Sequence, residues 1–174
     1  MEIISHLKSD EKRWFAIYTK YKCEKYVADQ LNKRQIESYV PLLKKTKRYV
    51  SRTKEYQVPL VNCYVFVCIT KEDYSHVLRT EYVMKFIRIG KNLISIPDRE
   101  IDLLKRVVGE FDVNLLGEGG FSIGREVEVI GGDLTGIKGK LIEIKNKSEF
   151  VVELATIGVQ LQVQIDKSLL RQIQ

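Results

Sequence analysis

Six cations stand within eleven residues at positions 44–54, KKTKRYVSRTK: Lys44, Lys45, Lys47, Arg48, Arg52 and Lys54, with no acidic residue among them. Charge of one sign at that density suits a phosphate backbone. Each phosphate neutralised releases condensed counterions, so affinity should fall steeply with salt. Tyr49 lies inside the run and Tyr56 just beyond it, two rings on which an unpaired base can stack. The plainer alternative is a solvated basic hairpin, and residue types alone leave both readings open.

Covalent chemistry finds no such cluster. His6 and His76 fall in different elements, and no Ser, Cys or paired carboxylate accompanies either at a catalytic spacing. The glycine-rich stretches lack the phosphate-loop lysine, and GGDLTGIKG opens a strand rather than a helix. The three cysteines, Cys23, Cys63 and Cys68, have no CxxC spacing and fall in predicted helix or strand. They read as reduced core thiols. The chain is therefore expected to be no enzyme, with no cofactor and no metal.

The elements that must position these residues are organised around positions 58–69, VPLVNCYVFVCI. The run from 63 to 69 is apolar or tyrosine throughout and too short for a buried helix, so it predicts a strand covered on both faces. Alternation sends Tyr64, Phe66 and Cys68 to one face and Cys63, Val65, Val67 and Ile69 to the other. Before it, WFAIY at 14–18 predicts a strand, with Trp14 in the core. Residues 23–34 predict a helix with Cys23, Val27 and Leu31 as its apolar stripe, and 37–43 a strand that Pro41 marks as an edge or bulge. After it come a short helix at 71–80, a strand at 84–89, and a helix opened by Pro97 and Asp98 with Ile101, Leu104 and Val108 facing inward. That order predicts an α+β domain around a mostly antiparallel sheet.

From 109 to 124 five glycines occur without periodicity, which predicts a flexible linker. Beyond it, short β-branched runs separated by Gly and Asn turns predict a small all-β barrel. Charge divides along the same line. Residues 1–108 carry 22 Lys and Arg against 13 Asp and Glu, net +9, while 109–174 carry 7 against 10, net −3. The basic part suits a polyanion; the acidic part does not. With no apolar run long enough to span a bilayer and no apolar signal core at the N-terminus, a cytoplasmic protein without a membrane partner, and a monomer, is expected.

Together, WFAIYT, YVPLL, CYVFV and MKFIRIG, Pro97-Asp98 opening the last helix, and GREVEVIGGDLTGIKGKLIEI resemble the NusG transcription elongation factors from Trp14 nearly to the end. The resemblance implies an N-terminal (NGN) domain at 14–108, a linker at 109–124 and a KOW domain at 125–174. Two departures stand out. The general factor usually has Pro-Gly where this chain has Asn62-Cys63, and Pro-Phe where it has Asp133-Leu134. With the basic run, these make the chain look more like a specialised paralogue of the RfaH or UpxY kind, an antiterminator of particular operons, than the housekeeping factor.

The resemblance further implies docking on the clamp helices of bacterial RNA polymerase through Tyr18, Val61, Tyr64, Phe66 and Ile89. It implies that His76, Arg79 and Thr80 read the non-template DNA strand, although the family's basic residue two places after that helix is here Glu81. It implies recruitment, through Ile157 of the KOW domain, of a small-subunit ribosomal protein or the termination factor Rho. DNA and nascent RNA both remain open as the ligand of the basic run. A ribosome-associated KOW protein is the rival of another class, and it predicts a basic second domain.

Overall fold

The structure is a computed structural model that describes residues 5–110, 113–115, 124–132, 134–144, 147–154 and 159–173. It divides into two compact units, Met1–Ile101 and Asp102–Gln174.

In the first unit the strands β1 (Arg13–Thr19), β2 (Glu37–Tyr39), β5 (Tyr64–Ile69) and β6 (Val83–Phe86) form an antiparallel sheet in the order β2-β5-β1-β6. The predicted central strand is β5, paired along its length with β1 from Arg13↔Ile69 to Tyr18↔Tyr64. The alternation holds: Phe15, Ile17, Val65, Val67 and Ile69 join one buried cluster with Val27 and Leu31 of helix α1 (Glu24–Lys33) and Val77 of helix α2 (Asp73–Leu78). Phe15 meets Phe86 edge-on at 6.4 Å, and Tyr74 stacks on Phe86 at 4.5 Å. Burying the Phe15 and Phe86 side chains contributes about 1.5–3 kcal/mol each, with Tyr74 partly buried against them. Cys63 lies before β5 rather than in it.

The segment read as one strand at 37–43 is two. The chain leaves the sheet at 40–41 and enters β3 (Leu42–Arg48), which pairs with β4 (Thr53–Pro59) as a separate two-stranded ribbon. The bend falls at Pro41, which cannot donate a ladder hydrogen bond. Trp14, placed in the core by the sequence, is buried and bridges to Ile96, whose N–H donates to the Trp14 carbonyl at 2.8 Å. Helix α3 (Asp98–Glu110) follows, with Ile101, Leu104 and Val107 buried.

The second unit holds a six-stranded antiparallel sheet in the order β12-β8-β9-β10-β11-β7, made of β7 (Val113–Leu115), β8 (Arg125–Val129), β9 (Lys138–Ile144), β10 (Lys147–Leu154), β11 (Val159–Val163) and β12 (Leu170–Gln172). Val127, Val129, Phe150, Val152, Leu161 and Val163 are buried. Within the stretch expected to be a linker, Val113–Leu115 instead pairs with β11 from Val163↔Val113 to Leu161↔Leu115. Three residues are too few for alternation to stand out among glycines. The rest of that stretch, apart from the end of α3 and Gly124, lies outside the described residues. Gly139 opens β9 where a side chain has no room: a Cβ would run into the Val151 carbonyl oxygen and meet the Phe150 ring at 2.7 Å.

Candidate functional site

Two surfaces of the first unit carry the residues singled out by the sequence. The first lies on the sheet face away from α1. Cross-strand pairing sets rows there, because directly opposite residues share a face. One row runs Tyr64, Tyr18, Lys85 across β5, β1 and β6. The two tyrosine rings meet edge-on at 6.0 Å and 84°, and Lys85 Nζ stands 5.9 Å from the Tyr18 ring. The next row runs Tyr39, Phe66, Ala16 across β2, β5 and β1, with the Tyr39 ring stacked on Phe66 at 6.4 Å. Ala16 gives the phenylalanine room.

These rows separate the five residues expected in one patch. Tyr18 is 36% exposed and Tyr64 half-buried, and they are in contact. Phe66 is fully buried and Val61 is buried, so neither offers surface. Phe66, flanked by Ala16 and capped by Tyr39, supports the tyrosine row instead. Ile89 is 52% exposed but sits on its own turn, closed by paired hydrogen bonds with Asn92 at 3.0 and 3.1 Å. After Ile87 the chain departs from β1, and Trp14 takes Ile96 as its partner.

The position of Tyr64 depends on a residue the sequence reading passed over. Glu24, at the start of α1, is buried, and its Oε1 accepts the Cys63 N–H at 2.7 Å. The Cys63 carbonyl accepts the Thr19 N–H at 2.8 Å. Cys63 has φ +64, a left-handed conformation that glycine adopts freely and that costs another residue about 1–2 kcal/mol. This is the position at which the motif usually has glycine. Here two hydrogen bonds hold a cysteine in the same conformation. The Cys63 thiol beside the Tyr18 phenol raises the Tyr18 pKa. No sequence signal marked Glu24, since one carboxylate in a charged helix resembles any other.

The second surface is the ribbon β3–β4, closed by the Tyr49 N–H donating to the Arg52 carbonyl at 2.8 Å. It resolves the basic run into a hairpin. All six cations are exposed, with Tyr49 47% and Tyr56 41% exposed. Lys47 Nζ and the Arg52 guanidinium stand 5.2 and 5.9 Å from the Tyr49 ring.

The trio after the second helix divides. His76 and Arg79 are exposed, but Thr80 is buried, and its hydroxyl donates to the His76 carbonyl at 3.0 Å and accepts from Arg34 at 3.3 Å. That commits Thr80 to terminating α2 rather than touching a ligand. Glu81, the departure in this region, accepts the Tyr26 hydroxyl at 3.0 Å, which raises the Tyr26 pKa. Tyr82, with Lys20 5.7 Å from its ring, packs on Tyr26 at 5.3 Å. Ile157 lies outside the described residues. Among the described residues no three His, Cys, Asp or Glu side chains group as a metal site would need, and no helix is long and apolar enough to cross a membrane.

The first unit thus carries a half-exposed tyrosine pair on its sheet and a cationic two-stranded ribbon, and the second unit is strand-rich. The family model described as "Transcription termination factor nusG" matches residues 12–105, and the chain belongs to the NusG family of transcription factors. A structure of Thermotoga maritima NusG, solved for its domain interaction, is 22% identical, covers 95% of this chain and 99% of that one, and has a TM-score of 0.61, so the fold is shared. A chain of the MjSpt4:Spt5 complex is 20% identical over 92% of this chain and 96% of that one, with a TM-score of 0.32. No curated protein matches.

Proposed function

We propose that this NusG-family chain is an elongation and antitermination factor that docks on the clamp helices of bacterial RNA polymerase through its N-terminal domain, 14–108. The observation that carries this reading is the Tyr18–Tyr64 pair, half-exposed at the end of the sheet that the family model covers. Rings with an apolar body and a polar tip, held by a sheet, are what an interface anchor requires. Ile89 adds apolar surface nearby in sequence to β6. The ribbon cations, with His76 and Arg79, face nucleic acid near the polymerase. A factor of this kind acts by shifting the polymerase toward its productive conformation, without chemistry of its own.

The KOW domain, 125–174, recruits a second machine, a small-subunit ribosomal protein or Rho, with Ile157 as the anchor. Its net charge of −3 over 109–174 disfavours a ribosomal RNA-binding role. Operon-directed action, rather than a general role, is supported by Cys63 in place of a turn glycine and by the density of cations at 44–54.

The test is binding of the full chain to purified bacterial RNA polymerase. Tyr64→Ala should weaken it by about 30-fold, the loss expected of a central anchor at about 2 kcal/mol, and deletion of the clamp helices should abolish it. Binding indifferent to both changes would sink the docking surface. Mapping the chain on the genome separates the roles: a few operons for a specialised factor, most transcribed genes for a general one.

A further inference from the structure

The ribbon register divides the basic run in a way that composition does not show. Opposite residues of a two-stranded ribbon share a face, so Lys45 with Tyr56, Lys47 with Lys54, and Tyr49 with Arg52 stand on one side. Lys44 with Gln57, Thr46 with Glu55, and Arg48 with Thr53 stand on the other. The first face gathers four of the six cations, both tyrosines and no acid. The second has two cations, and Glu55 lies diagonal to both of them, within reach of long side chains. One face is a cationic aromatic strip; the other is partly self-neutralised.

We propose that the face carrying Lys45, Lys47, Tyr49, Arg52, Lys54 and Tyr56 binds single-stranded nucleic acid, and that the opposite face does not. The proposal rests on the reading of the chain as a polymerase-borne factor with a ribbon facing nucleic acid, and names which side and which form of the ligand. Lys47 directly opposite Lys54 is a like-charge pair, unfavourable in the free protein, and an anion between the two relieves it. The strip from Lys45 to Tyr49 is about 14 Å long at the strand rise, room for a short run of nucleotides. The rings decide between single strand and duplex. In a duplex the base faces are already stacked, so exposed tyrosines gain nothing, whereas unpaired bases can lie on both. A two-stranded ribbon can also enter a duplex major groove, but reading there uses hydrogen bonds to base edges, and in this strip the rings stand where such groups would be needed.

The experiment uses the full chain and a fluorescein-labelled 12-nucleotide single strand and its duplex, with anisotropy followed across salt concentration. Lys47→Gln/Lys54→Gln should weaken single-strand binding by about tenfold and lower the salt slope by about 1.4, two contacts at about 0.7 each. Lys44→Gln/Arg48→Gln, which removes the same charge, should cost less than about threefold. Tyr49→Ala/Tyr56→Ala should lose about tenfold or more, with Phe at both positions restoring it. Equal losses from the two charge pairs would reduce the ribbon to a generic polycation. A preference for duplex with silent tyrosine substitutions would make it a groove binder. No binding at low salt would also overturn the proposal. Polymerase binding, measured on the same proteins, keeps the two readings apart. If it is intact while the strand is not bound, this inference alone fails. If it is absent while strand binding is face-selective, the docking reading alone fails.

Discussion

The four-stranded sheet and the β3–β4 ribbon obey the same alternation, yet it serves opposite ends in the two. In the sheet, α1 and α2 cover one face, so Phe15, Ile17, Val65, Val67 and Ile69 become core, while on the other face Phe66 is buried beside the half-exposed Tyr18–Tyr64 pair. In the ribbon no residue from Lys44 to Arg48 or from Thr53 to Gln57 is buried. There alternation sorts charge and rings instead of apolar surface. A layer above a strand turns periodicity into stability; without one, periodicity only sorts what the two exposed faces carry.

Substitutions test that contrast, from the largest effect to the smallest. Phe15→Ala opens the covered face and should cost about 3–5 kcal/mol in urea unfolding. A loss near zero would mean the helices do not form a packed layer. Glu24→Ala leaves the Cys63 N–H buried without its acceptor, a loss of about 1–3 kcal/mol, and should loosen the Tyr64 end of β5. Weaker polymerase binding should accompany it, and Glu24→Gln, which keeps an acceptor oxygen, should lose less of both.

The neighbouring row, Tyr39 with Phe66 and Ala16, offers a pH test. Burial pushes the Tyr39 phenol up to about 12 from its usual 10. Its folded state therefore favours the protonated form, so this contribution to stability is complete below about pH 10 and is lost as pH rises from 10 towards 12. Tyr39→Phe should flatten the stability profile in that window; an unchanged slope would place Tyr39 away from the packed row. The ribbon should respond least. Lys47→Gln/Lys54→Gln should leave unfolding stability within about 0.5 kcal/mol, because exposed side chains remote from caps and cores contribute little. A larger loss would show that the ribbon also supports the fold.

Much of the first unit was legible in the sequence. A run of β-branched and aromatic residues flanked by turn signals predicts β5 and its two faces, and a spacing of four predicts the α1 stripe, because both are set by backbone geometry within a few residues. The tyrosine pair was legible only in part. Parity places Tyr64 and Phe66 on one face, but one is a surface and the other a support, and that difference depends on Ala16 and Tyr39 from other strands. The burial of Thr80 was illegible for a similar reason, since Arg34 just after α1 and the His76 carbonyl take its hydroxyl.

What the sequence determined by itself was local: the strands and helices, the charge difference between the two parts, and the six cations at 44–54 with their two tyrosines. Only the tertiary structure decided the rest. Pairing partners come from positions far along the chain, and a one-residue change of register would exchange every face. Register gathered Lys45, Lys47, Arg52 and Lys54 on one side of the ribbon, and a carboxylate from α1 fixed the backbone turn at Cys63, 39 residues away.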